Sequence, residues 1–390
     1  MKPNDGIAAW LVLLLAVMAG VSVANLYYCQ PLLNLIREDM GLTEFQVNLM
    51  PVCTQVGYAL GLLFIIPMGD LYNRRTTITT CFACLIASLC GIALTRNVPL
   101  LLLASLITGF CSVAPQVFIP FVTLYSKPHE KARKAGYILT GLLCGILGSR
   151  VVSGYVGNEF GWRIIYYVAA VAIFLSALLT LRFFPSVAPT YTGKFRTLMT
   201  SIVTLCRQHP RALLYSVRSA LTFGSILGMW ACLAFRMAEA PFFQGSDTVG
   251  LLGLCGVAGA LTASCVGRFV PRYGVERINI FGILLVLAAW IIMAFFHNTY
   301  TGIIAGVIII DIGMQCVQLS NQTATIQLSS EASSRMNTIY MTTYFIGGSL
   351  GTFLAGTLWS QLGWGGTVAA GMGMAALAMI ISLAKRQPQN

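Results

Sequence analysis

The chain has 390 residues, 57% of them hydrophobic and only 9% charged, with a mean hydropathy of +0.79 and a formal charge of +12. So little charge excludes a soluble globular protein, whose surface needs far more. What remains is a membrane protein, because apolar runs of about twenty residues, enough to cross a hydrocarbon core of roughly 30 Å, recur along the sequence.

In chain order twelve such runs are predicted: 7–35, 44–68, 76–95, 98–125, 135–157, 162–184, 212–238, 248–270, 278–296, 300–328, 336–359 and 364–384. Their length specifies helices, since a barrel strand needs only about ten alternating residues. The first run has no small-residue cleavage site ahead of a soluble domain and is read as a helix, not a removable signal. An N-terminus inside puts eighteen Lys and Arg residues on the cytoplasmic side, among them Arg74, Arg75, Lys127, Lys131, Lys134, Arg211, Arg268 and Arg335. Four remain outside: Arg37, Arg96, Arg163 and Arg236. This asymmetry predicts both termini in the cytoplasm. The basic charge therefore reports topology facing anionic lipid, and no nucleic-acid partner is expected.

Eleven of the twelve cysteines lie in or near predicted spans, with Cys206 the exception, so no disulfide framework is implied. Cys81 and Cys84 have CxxC spacing but no second pair or nearby histidine, and His129, His209 and His297 all fall in loops. Neither metal site nor haem is expected, and no other cofactor. The longest polar interval, 185–211, reads as a cytoplasmic linker between two six-helix halves, 1–184 and 212–390. Within it FRTLMTSIVTLCRQ reads as an ordered linker or as a short helix on the membrane surface.

A shift of 201 residues sets Asp70 against Pro271, Glu130 against Glu331 and Lys134 against Arg335, so the two sets of six look like copies. The loop after the second span reads IPMGDLYNRRTT and resembles the signature G-x-L-a-D-R-x-G-R-R of the major facilitator superfamily. Asp70 takes the acidic position, Asn73 the second glycine, and Arg74 and Arg75 the basic pair. Asparagine suits a glycine position because it tolerates a left-handed backbone. Ile66 and Leu71 depart from the pattern, and the counterpart GRFVPRYG has Pro271 for the acid. The resemblance spans the chain and implies an all-helical fold of twelve transmembrane helices in two halves. It also implies gating roles: Asp70 would cap the start of the eleventh helix, favoured by the helix dipole, and Arg74 or Arg75 would bridge toward Glu130. Simple positive-inside anchoring is the other account of the basic pair.

The arginine frequent in the fourth helix of family antiporters is replaced by Ser105, so the usual proton relay does not transfer. In the fifth helix Gly136, Gly145, Ser149, Arg150, Val151, Val152, Ser153 and Gly154 follow the spacing of the family's antiporter motif, with Arg150 at its proline site. Small residues there, Gly136, Gly145 and Gly154 foremost, imply close packing of the fifth helix on the eighth.

Eleven of the twelve acids fall in loops or near span ends; Asp311 in GVIIIDIGMQ is deep in a helix. Arg218, about a turn into the seventh helix, would snorkel to the surface or act in the mechanism. A charge at the bilayer centre costs several kcal/mol and faces a cavity or a partner. Arg150 and Asp311 therefore pair in the empty protein until substrate or a proton separates them, or Arg150 binds an anionic group directly. A fixed interhelical pair, or an arginine that snorkels, is the third possibility. Asp311, Gln315 and Gln318 make one face of the tenth helix polar. Asn25, Tyr28, Gln30, Gln116, Trp230, Asn321, Tyr340 and Tyr344 are further candidates to line a cavity, and Pro31, Pro115 and Pro120 are candidate kinks.

These features predict a monomeric secondary transporter of a bacterial-type inner membrane, working by alternating access on a small molecule. Without a nucleotide motif it would use an ion gradient or the substrate's own gradient. The fifth-helix motif points to proton-coupled efflux of a small organic molecule. Arg150 and the absent fourth-helix arginine keep open uptake or facilitated diffusion of a polar or anionic metabolite. A membrane sensor or channel is the reading from another class, and no enzyme activity is expected.

Overall fold

The computed structural model describes residues 6–186, 193–329 and 332–384, apart from the side chains of Asp70 and Ser264. Glu331 and linker residues 187–192 lie outside the described residues, as do Lys2, Lys385 and Arg386. The described chain is helical from end to end. The first span is two helices, α1 (Ala9–Ala24) and α2 (Cys29–Met40), followed by α3 (Glu44–Leu71) and α4 (Arg74–Leu94). The fourth span is again double, α5 (Val98–Cys111) and α6 (Ala114–Tyr125), and α7 (Lys131–Phe160) and α8 (Trp162–Phe183) complete the first six. After α9 (Phe195–Gln208) come α10 (Pro210–Ala238), the double span α11 (Ser246–Leu252) and α12 (Gly256–Tyr273), α13 (Val275–Phe295), α14 (Tyr300–Gln327), α15 (Ser333–Leu362) and α16 (Trp364–Ala384).

All twelve predicted spans are therefore helices, and eleven are long and apolar enough to cross a membrane. The twelfth, α15, is as long as any, but Ser, Thr, Asn, Tyr and Gly residues replace much of its aliphatic content. Polar side chains cap several helix starts at the bundle ends, satisfying free N–H groups. Thr43 and Gln46 form a capping box on α3, and Asn97 and Thr299 cap α5 and α14. Asn73 corrects the expectation of a left-handed backbone. Its φ of −63° and ψ of 117° are extended, and its Oδ1 accepts from Arg75 N at 3.0 Å as the cap of α4. A side-chain acceptor, not conformational freedom, is what asparagine supplies there.

The double spans have local causes. Pro31 has no N–H to offer the preceding turn, and the first helix is interrupted over Asn25–Tyr28. Pro115 does the same to the fourth span, which breaks at Ser112 and Val113, whereas Pro120 sits inside α6 without ending it. Ser22 Oγ donates to Ser112 O at 3.2 Å, tying the two breaks together. The eighth span breaks over Gly253–Cys255, in a run with glycines at 250, 253, 256 and 259.

The same pairings recur in both sets of six: α1 with α7 and α10 with α15, α3 with α5 and α12 with α14, α4 with α8 and α13 with α16. Between the sets, α3 packs on α15 and α7 on α11. Glycine permits these close approaches. A Cβ on Gly154 would strike Ser246 O and Gly250 Cα of α11, and one on Gly145 would strike Gly20 of α1. Gly136 differs from the expected packing role, since a Cβ there would meet nothing within 4 Å. The cause is the position along α7: Gly141 and Gly145 lie against Ala16 and Gly20 of α1, whereas no neighbouring element among the described residues covers Gly136. The amphipathic segment after the sixth span forms α9, and Ile202 and Leu205 bury their apolar faces against Ala332, Met336 and Ile339 with Leu63 beside them. Its apolar stripe is thus covered by protein and not by lipid.

Gly154→Val is expected to overpack the α7–α11 seam and to cost about 1–3 kcal/mol, read as a lower melting temperature in detergent. Gly136→Ala should be neutral or stabilising by about 0.5–1 kcal/mol, because alanine is the better helix former and the space is open. An unchanged melting temperature in Gly154→Val would contradict the seam.

Candidate functional site

Arg150 lies where α7 meets the breaks of the first and eighth spans. Its side chain is buried, with 5% of the residue exposed. The aliphatic stem crosses Gly253, where any side chain would crowd it: a Cβ would stand 3.0 Å from Arg150 Cβ and 3.2 Å from its Cδ. Nε donates to Gln30 Oε1 at 2.9 Å. The guanidinium lies over the Trp230 ring of α10 at 4.0 Å from its centroid and 5.1 Å from that of Tyr27. Such stacking is worth about 2 kcal/mol when desolvated and offsets part of the cost of burial. Nη1 and Nη2 make no hydrogen bond among the described residues.

Asp311 of α14 is also buried and packs against the glycine face of α12. A Cβ on Gly256 would come 3.3 Å from Asp311 Oδ2, and one on Gly259 would come 3.2 Å from Asp311 Cβ. Oδ2 is buried without a hydrogen-bond partner. Arg150 and Asp311 lie within range of each other's charge, but they do not approach to the 4.0 Å of an ion pair among the described residues. In this conformation the arginine is held by an amide and two rings, and the carboxylate stands alone.

The predicted polar face of the tenth helix divides. Gln318 Oε1 accepts from Tyr344 OH at 3.0 Å and its backbone O from Tyr340 OH at 2.9 Å. Gln315 is half-buried and makes no side-chain hydrogen bond among the described residues. Asn321 departs from the cavity-lining expectation: it is fully buried between helices, donating to Asn279 Oδ1 at 2.7 Å, while Asn279 reaches Ser382 Oγ at 3.0 Å. Tyr344 stacks on Phe223 with centroids 3.8 Å apart, Phe345 joins Phe223 to Tyr58, and Gln116 Nε2 reaches Tyr58 OH at 3.5 Å. An aromatic wall therefore runs across the spans two, seven and eleven. Asn25 Nδ2 caps the end of α1 through Val21 O and Ser22 O, leaving its Oδ1 buried and unpartnered. Tyr28 lines a cavity of about 180 Å³ with Gly145, Ser149 and Val152, and neither Arg150 nor Asp311 forms part of that wall.

The gating candidates lie at the basic end. Asp70 closes α3, with its side chain outside the described residues. Arg74 is buried and donates through Nε to Gly69 O at 3.2 Å. Glu130, in the turn just before α7, departs from the expected bridge, since it pairs with Lys134 at 2.8 Å and Arg133 at 3.2 Å of the helix that follows it. Lys134 also donates to Ile7 O at 2.7 Å. At the opposite end a connection absent from the sequence reading joins three spans: Glu44 accepts from Trp359 Nε1 at 2.8 Å and pairs with Arg37 at 2.8 Å. Nearby, Asn48 Nδ2 donates to Thr352 O at 3.0 Å and Ser246 Oγ to Gly154 O at 2.8 Å.

A second buried arginine, Arg218, does not take the snorkelling course that was one of its two readings. Arg218 has no exposed side-chain surface, and its Nη1 donates to both oxygens of Glu276 at 2.9 Å. The partners are 58 residues apart and each lies near a span end, so no sequence spacing announces them. Tyr27 and Phe223 were missed for a plainer reason, being aromatic residues in aromatic-rich helices. The glycines every third residue from 250 to 259 were a usable signal, a helix face without side chains awaiting a close neighbour.

The family profile described as Major Facilitator Superfamily matches residues 12–352 and 246–390. The chain belongs to the major facilitator superfamily. Two similar superfamily relatives are the uncharacterized transporter YgaY of Escherichia coli O157:H7, 31% identical over 97% of this chain and 96% of the relative, and the probable transporter SCO4007 of Streptomyces coelicolor, 30% identical over 94% and 86%. Among solved structures, the nucleoside transporter NupG superposes with a TM-score of 0.75 at 16% identity, covering 97% of this chain and 100% of its own. A bacterial homologue of the human lysosomal transporter Spinster, inward-facing and occupied, gives 0.77 at 14%, covering 96% and 95%. These superpositions establish the fold shared across the superfamily. The chain is accordingly a multi-pass membrane transporter.

Arg218→Gln is expected to strand Glu276 and to lower stability by about 2 kcal/mol, less than a fully buried pair because Glu276 keeps 31% of its side chain exposed. Adding Glu276→Gln should recover part of the loss in a double-mutant cycle of melting temperatures. Additive losses would show that the two residues do not support each other.

Proposed function

We propose that this transporter is proton-coupled and exports a small organic molecule by alternating access, with substrate held between the halves 1–184 and 212–390 near the midplane. The observation that carries the reading is Asp311: a carboxylate buried in mid-bundle, without a hydrogen-bond partner on Oδ2, within reach of the charge on Arg150. An isolated buried carboxylate is held most cheaply by taking a proton, and one that meets a cation in only part of the cycle must release it. Arg150, Trp230, Tyr344 and Gln318 would face the substrate, and Asn25, Gln116 and Gln315 would stand around it. Asp70, Asn73, Arg74, Arg75 and Glu130 would govern opening at the basic end.

The direction rests on the α7–α11 seam. Gly154 and Gly250 bring the two helices into contact at the end away from the basic loops, which under the positive-inside rule is the outer face. A seal there keeps protons from leaking through the chamber and fits the small-residue pattern that suggested efflux. Uptake of an anionic metabolite is the second reading, favoured by the two guanidinium nitrogens of Arg150 that remain without partners. Direct contact of substrate with bilayer-spanning residues requires no cofactor in either reading, and the protein would act as a monomer in an inner membrane.

In proteoliposomes a substrate panel with internal pH recorded is expected to give substrate movement coupled to proton movement in wild type. Asp311→Asn should abolish stimulation by a pH gradient while keeping substrate counterflow. Wild-type transport without proton flux, together with an unimpaired Asp311→Asn variant, would sink the coupling. Accumulation in everted vesicles supports export, and accumulation only in right-side-out vesicles replaces it with uptake. For topology, a fluorescent reporter fused to the C-terminus should glow and a phosphatase fused there should stay inactive. The reverse result would place the C-terminus outside.

A further inference from the structure

Four nitrogens around Arg150 point to what the chamber takes. Gln30 gives its Oε1 to Arg150 Nε, which fixes its amide beside the guanidinium, and its Nε2 is buried without a partner. Trp230 is 1% exposed, its ring lies under the same guanidinium, and its Nε1 is likewise buried and unpartnered. Nη1 and Nη2 of Arg150 complete the set. Each is a donor, and an indole N–H or a guanidinium cannot accept. Three side chains from three different spans thus leave only donors unsatisfied, in a setting where an unmade hydrogen bond costs about 1–3 kcal/mol. Unsatisfied donors gathered on a fixed guanidinium are the complement of an anionic acceptor with more than one oxygen.

We propose that the substrate is a small monocarboxylate with an apolar or aromatic body, its carboxylate received by Arg150, Trp230 and Gln30. This rests on the transport reading of the same chamber. The charge balance selects the class: one guanidinium and two neutral donors match one negative charge. A phosphate dianion would add a second, uncompensated charge to a chamber that already contains Asp311. A cationic substrate would have to sit against Arg150. The body of the molecule would lie toward Tyr27 and the stacked Phe223–Tyr344 pair, aromatic neighbours that favour apolar or flat groups over sugars. Gln30 acts twice, positioning the guanidinium through Oε1 and donating to the substrate through Nε2.

The test uses full-length protein in detergent and matched probes differing in one group: benzoate, benzamide and benzylammonium, and butyrate, butyramide and butylammonium. Saturable rises in melting temperature are expected with at least one of the two carboxylates and not with its amide or ammonium counterpart. Arg150→Gln should weaken that binding about thirtyfold or more. Arg150→Lys, which keeps the charge and loses the fork, should fall between. Trp230→Phe should weaken it about three- to tenfold by removing one donor while keeping the ring, and this variant answers the case in which Arg150→Gln does not fold. Equal stabilisation by amide or ammonium probes, retention of carboxylate preference in Arg150→Gln, or no response to either carboxylate overturns the proposal. Counterflow in proteoliposomes separates the two levels. Saturable counterflow of a neutral or cationic solute keeps the transport reading and removes the carboxylate. Absence of counterflow for any solute removes the transport reading itself.

Discussion

A guanidinium held among hydrocarbon-length helices is expensive, and much of the local structure around Arg150 offsets that expense. Gly253 makes room for the stem, Gln30 takes one nitrogen, and Trp230 and Tyr27 offer the faces of their rings. All but Trp230, which stands in the unbroken α10, come from a place where regular helix has given way or from the residues next to it. The break after α1 brings Tyr27 and Gln30 inward, and the break between α11 and α12 puts Gly253 against the arginine. Irregular backbone is tolerated at membrane depth where it is buried in protein, as Gly253, Asn25 and Tyr27 are. The location of the charge and the location of the breaks are therefore one fact.

Asp311 completes the arrangement from the other set of helices. It shares the chamber with Arg150 without touching it, so the two charges are coupled through space and not locked. A locked pair would serve stability and leave little to be moved by a ligand or a proton. An open pair can be redistributed: an anion beside Arg150 or a proton on Asp311 changes the balance on both sides. Rigid contacts lie elsewhere, in the fully buried Arg218 joined to Glu276 and in Glu44 joined to Arg37 and Trp359. The molecule thus separates charges that hold the bundle from charges that are free to work.

Much of this was legible in the sequence, and the limit was physical. Twelve spans follow from run length because a hydrocarbon core sets a minimum that loops do not reach. Arg150 and Asp311 stand out because charge is rare at that depth. Their surroundings did not, since Gln30 lies 120 residues from Arg150 and the meeting depends on how α2 and α7 cross. Asn73 shows a local misreading: one residue type supports both a left-handed backbone and a helix cap, and only the backbone angles distinguish them. Gly136 shows a positional one, for glycine in a packing motif packs only where the neighbouring helix is close. Pro31 announced a disturbance, but the interruption appears up to six residues earlier, where the missing N–H and the ring act on the preceding turn.

In the proposed mechanism Asp311 exchanges a proton and Arg150 holds its counter-charge. Infrared difference spectra of the protein in bilayers between acid and alkaline pH test it directly. A carbonyl band of a protonated carboxyl in an apolar setting should appear on acidification, vanish in Asp311→Asn and shift its midpoint in Arg150→Gln. A band that persists in Asp311→Asn, or a midpoint indifferent to Arg150, would contradict the account.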